Sequence, residues 1–90
     1  MKVWGILRTD NKIVKDEVFD FEYKHVSDIP DINAILKRIC YAMDLSCPIL
    51  LKSHIRDLEH FNRVVFVADD FIESIWFDKF EIEILREKKS

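Results

Sequence analysis

The chain has 90 residues, 49% of them hydrophobic and 34% charged, with seven Phe, two Trp and two Tyr; that is ample material for one core and argues against intrinsic disorder. Fourteen Lys and Arg against seventeen Asp and Glu leave a net charge of -3, so a phosphate backbone meets repulsion unless the basic residues are gathered on one face, and nucleic acid is not expected as a partner. No stretch approaches the roughly 20 apolar residues of a membrane span, and no membrane partner is expected.

The opening Met1-Lys2-Val3-Trp4-Gly5-Ile6-Leu7-Arg8 lacks the apolar run and the small-residue cleavage site of a secretory signal. A soluble, cytoplasmic protein is the expectation. The first segment, 2–9, is followed by Asp10-Asn11-Lys12, whose short polar side chains tolerate left-handed turn geometry. Residues 13–24 come next, where Phe19, Phe21 and Tyr23 alternate with Asp20, Glu22 and Lys24. This pattern reads as a β-hairpin with aromatic rings on one covered face.

Ser27-Asp28-Ile29-Pro30-Asp31 reads as a helix start, with Ser or Asp capping free amides and Pro in the first turn. The helix is expected to run to about Asp44, its stripe of Ile32, Ile35, Leu36, Ile39 and Met43 facing the hairpin. Leu45-Ser46-Cys47-Pro48 breaks it. Ile49-Leu50-Leu51 reads as a short strand, and Ser53 as the cap of a second, two-turn helix over 54–61.

Arg63-Val64-Val65-Phe66-Val67 is apolar without alternation after Arg63, the pattern of a strand covered on both faces and central in its sheet. Lys79-Phe80-Glu81-Ile82-Glu83-Ile84-Leu85 alternates apolar and acidic residues, the pattern of a half-exposed strand. Residues 86–90 read as a frayed tail. The fold expected is a single α+β domain. A mixed or mostly antiparallel sheet of four or five strands carries one main helix and one short helix.

The segments Asp69-Asp70-Phe71-Ile72-Glu73 and Phe77-Asp78-Lys79-Phe80-Glu81-Ile82-Glu83-Ile84, with Met1-Lys2-Val3-Trp4-Gly5 and Asp10-Asn11-Lys12-Ile13-Val14 at the other end, resemble a family of small proteins of clostridia and related bacteria. The resemblance implies a bacterial cytoplasmic setting. It implies no activity, cofactor or catalytic residue.

No motif for a catalytic site, cofactor or metal is present. With one Gly in the chain there is no phosphate-cradling loop. Asp69, Asp70 and Glu73 form an acidic cluster without the spacing or glycine of a calcium loop. His54 and His60 are six residues apart, about 120° around a helix, which prevents them from chelating one ion; surface positions are expected for both. Cys40 falls on the apolar side of the main helix, where a buried reduced thiol is expected. Two function classes remain. One is a protein-interaction or homodimerising module that docks through a sheet edge or through the apolar segment 71–77, with Phe71, Trp76 and Phe77 as anchors. The other is a small enzyme or ligand-binding protein with a pocket lined by Tyr41, Cys47 and His54.

Overall fold

The computed structural model describes residues 1–85; the tail expected at 86–90 lies outside them. Strands β1 (Lys2–Thr9) and β2 (Lys12–Asp20) form the N-terminal hairpin, helices α1 (Ile32–Ala42) and α2 (Lys52–Phe61) follow, and β3 (Arg63–Val67) and β4 (Lys79–Leu85) complete the chain. The four strands make one sheet in the order β2-β1-β4-β3, with every neighbour antiparallel. The fold is therefore α+β, with the hairpin at one side and the C-terminal strands at the other.

The hairpin turn uses Asp10 and Asn11 at φ 52° and 64°, the left-handed geometry that short polar residues accept at low cost. β2 ends at Asp20, earlier than the aromatic alternation implies. Phe21 and Tyr23 lie beyond the strand, and Phe21 is held by a backbone bond from its N–H to the carbonyl of Met1, 2.9 Å. Between β2 and α1 a single 3-10 turn occupies Val26–Asp28, so the main helix starts later than expected. Its cap is Asp31, whose Oδ1 accepts the Ala34 N–H at 3.3 Å, and Pro30 precedes the cap.

One face of the sheet is dry. In register, Val3, Gly5 and Leu7 of β1 stand level with Ile84, Ile82 and Phe80 of β4, and Val64 and Phe66 of β3 extend the same rows. Leu36, Ile39, Cys40 and Met43 of α1 and Leu58 of α2 join this core, where each large side chain contributes about 1.5–3 kcal/mol of burial before entropy is subtracted. Gly5 permits the close approach of α1, since a Cβ there would meet Met43 Sδ at 2.7 Å and Ile39 Cγ2 at 3.4 Å.

Three expectations are corrected. Residues 49–51 form no strand; the segment is an irregular connection, pinned where the Ile49 N–H donates to the Asp70 carbonyl, 2.8 Å. β3 is an edge strand, with α2 closing its inner face and Val67 exposed. β4 is central instead, flanked by β1 and β3. Alternation in β4 pointed to a half-wet strand because its acidic residues looked solvent-bound, yet Glu81 is 1% exposed.

Candidate functional site

The face of the sheet turned away from the helices carries Trp4, Ile6 and Arg8 from β1, level with Glu83, Glu81 and Lys79 of β4. Arg63 and Val65 of β3 stand level with Glu83 and Glu81 in turn. Arg8 Nε and Arg63 Nη2 each donate to a different Glu81 oxygen. Burial alone would push the Glu81 carboxyl up, but the hydrogen bonds and charges of Arg63 and Arg8 outweigh it and hold the group below the ordinary glutamate range. Buried charges of this kind are tolerated only when paired on both sides. On the same face the Trp4 Nε1–H donates to Asp16 Oδ2 at 2.8 Å, tying β1 to β2 through side chains as well as backbone.

β2 is the other edge of the sheet, nine residues long and, among the described residues, paired only with β1. Its Ile13, Val14 and Val18 are 44%, 47% and 53% exposed. The ladder to β1 skips from Leu7–Lys15 to Arg8–Ile13, leaving Val14 as a bulged residue. Along the helix-facing side of β2, Lys15 Nζ donates to the Met43 carbonyl at the end of α1, 2.8 Å. A groove of about 490 Å³ runs between this strand and α1, lined by Phe19, Phe21, Arg38 and Tyr41 among others. Tyr41 is 90% exposed at its rim, and the Arg38 guanidinium lies 5.1 Å over the Phe21 ring.

The sequence-derived anchors separate into two kinds. Phe71 and Phe77 are buried, edge to face at 5.6 Å, and belong to the core; neither is available to a partner. Trp76 is 64% exposed, its ring set at right angles to Phe77 at 5.4 Å. Of the three expected anchors only Trp76 is open to solvent.

The three pocket residues do not converge. Tyr41 lines the groove beside β2. Cys47 lines a different one, about 710 Å³, together with Ile29, Pro30, Ile49 and Leu50. His54 lines neither and, against the expectation of a surface position, is buried. Its Nδ1 accepts the Leu51 N–H at 3.0 Å at the start of α2, where Leu51 rather than Ser53 is the cap residue. Nε2 faces Asp70 Oδ2 at 3.6 Å, and the ring packs on Phe66 at 4.6 Å. Nδ1 is thereby committed to a structural partner, and the nearest acidic group to Nε2 is the Asp70 carboxylate. The Cys40 thiol is pushed up by burial and, secondarily, by the neighbouring Cys47, which makes it a poor nucleophile.

The acidic cluster is likewise divided. Asp70 Oδ2 accepts the Val67 N–H, 2.9 Å, Glu73 Oε2 accepts from Ser46 Oγ, 2.8 Å, and Asp69 is exposed. Among the described residues no three His, Cys, Asp or Glu side chains are placed to share an ion, and no helix is long and apolar enough to cross a membrane. His54 stands among the sequence candidates, but its burial and that of Glu81 are not legible there, because their partners stand 16, 73 and 18 residues away; only Arg8 and Arg63 in otherwise apolar strands bear on the second.

Comparison with known proteins adds no relative: no family model, curated protein or solved structure matches this chain.

Proposed function

We propose that this protein is a non-catalytic interaction module that docks a protein through the β2 side of its sheet. The observation that carries the reading is the open β2 edge itself, a long strand with one main-chain flank unpaired and three apolar side chains in solvent. Such an edge is a template for a further strand. The scattering of Tyr41, Cys47 and His54 over separate places supports this reading over that of an enzyme with a pocket at those residues. A bacterial, cytoplasmic setting goes with this reading, on the strength of the sequence resemblance and of two cysteines that are both free.

The test pits β2 against Trp76. A variant carrying Val14→Lys and Val18→Lys should lose association with any bound protein while keeping its circular dichroism spectrum, and Trp76→Ala should keep both. Association that survives the β2 changes and disappears with Trp76→Ala would move the docking surface to the 71–77 segment.

A further inference from the structure

We propose that the protein to which β2 pairs is a second copy of this chain, the two β2 strands joining antiparallel about a two-fold axis at Asp16 to give one continuous eight-stranded sheet. The proposal rests on the reading of β2 as a docking edge and adds the occupant. It follows from the order of residues in the strand, Lys12-Ile13-Val14-Lys15-Asp16-Glu17-Val18-Phe19-Asp20.

An antiparallel pairing of identical strands about a two-fold axis normal to the sheet sets each residue opposite its mirror position around the axis. With the axis at Asp16, Val14 of one copy lies opposite Val18 of the other, and Lys15 opposite Glu17, each twice. Apolar meets apolar and cation meets anion. Moving the axis to Lys15 opposes Val14 to Asp16 and Lys15 to itself; moving it to Glu17 opposes Asp16 to Val18 and Glu17 to itself. Only the Asp16 register satisfies the inner pairs, and cross-strand pairs of this kind are what fix a sheet's register.

The one like-charged pair in that register is Asp16 with its own copy on the axis. Each Asp16 carboxylate already accepts a hydrogen bond from Trp4 Nε1 of its own chain, which spreads part of its charge. The bulge at Val14 ends the regular ladder, so regular pairing spans residues 15–17 of each chain, with Val14 and Val18 flanking it. A ladder of this length lies below the standard size of a stable interface, which makes the dimer reversible and dependent on concentration. Tyr41, almost fully exposed at the rim of the groove beside β2, is positioned to lose solvent when the second copy arrives.

The decisive experiment is charge complementation, read by sedimentation velocity over a concentration series of the purified protein. Lys15→Glu sets Glu against Glu17, and Glu17→Lys sets Lys against Lys15, so each variant alone should dimerise roughly tenfold more weakly or worse than the parent. Mixed in equal amounts, the two restore both opposite-charge pairs, and a heterodimer should form with the parent's affinity. A merely damaged edge would not recover on mixing. Should either variant fold poorly, Asp16→Asn keeps an acceptor for Trp4 Nε1, removes the like charge on the axis and should tighten the dimer. A parent protein that is monomeric at every concentration, or variants whose mixture behaves as the sum of its parts, overturns the self-pairing. If the monomer nonetheless captures a different protein in a β2-dependent way, the docking role of β2 stands and only the identity of its occupant falls. Loss of both removes the underlying reading as well.

Discussion

The two edges of the sheet meet solvent differently. β3 is five residues long. α2 lies against its inner face, Phe66 is sealed between His54 and Phe80 at ring distances of 4.6 and 5.8 Å, and Arg63 is spent on Glu81. The Val67 N–H at its end is taken by Asp70. β2 is nearly twice as long and leaves three aliphatic side chains in water. An edge finished from within contributes to stability; an edge left open is available for association. The same four strands thus supply both the anchor of the fold and, on our reading, its contact with another molecule.

Substitutions sharpen this contrast by separating stability from association. Phe66→Ala removes a ring with no solvent exposure from the β3 side and should cost about 3–5 kcal/mol in urea unfolding, with no independent effect on the β2 surface. Arg8→Met leaves the buried Glu81 with Arg63 alone and should cost on the order of 3 kcal/mol. The pH dependence follows from the same carboxyl. Its folded value is lowered, so its contribution is fully present above the ordinary glutamate value of 4.5 and is lost as pH falls through the lower folded value. Glu81→Gln, though less stable at neutral pH, should therefore show a flatter decline of the urea midpoint on acidification than the parent; an identical decline would show that Glu81 is not held ionised by its two arginines.

His54→Ala deletes the acceptor for Leu51 N–H and a buried ring, a loss of about 2 kcal/mol that should appear as faster amide exchange in α2 before any other element. The smallest effect on stability is expected in β2. Val14→Thr or Val18→Thr should change the unfolding free energy by no more than about 0.5 kcal/mol, yet weaken association measurably.

Much of the architecture is legible in the residues. The hairpin turn at Asp10 and Asn11, the stripe from Ile32 to Met43 and the periodicity of β4 all express local rules, and each marks its element. Strand order does not follow local rules. β3 looks central because Val64, Val65, Phe66 and Val67 are apolar in succession, and β4 looks half-wet because Glu81 interrupts it. The assignments reverse because Arg8 and Arg63, distant in sequence, neutralise Glu81, and because α2 rather than another strand covers β3. The aromatic run 71–77 carries no period, so which of its rings turn inward depends on packing that only the folded chain defines. His54 shows the same limit: its i to i+3 relation to Leu51 is local, whereas burial against Phe66 and Asp70 is not. The β2 edge is the converse case, since its self-complementary charge order stands in the sequence but gains meaning only once the strand is known to lie at an edge.

On our reading β2 is an open edge completed by another strand, whereas β3 is a short edge backed on its inner face by α2. Residue-resolved amide hydrogen exchange of the purified protein at low and high concentration tests it directly. Protection of the β2 amides at 14–18 that rises with concentration, while the β3 amides stay unchanged, is the predicted result. β2 amides that exchange equally fast at every concentration would contradict it.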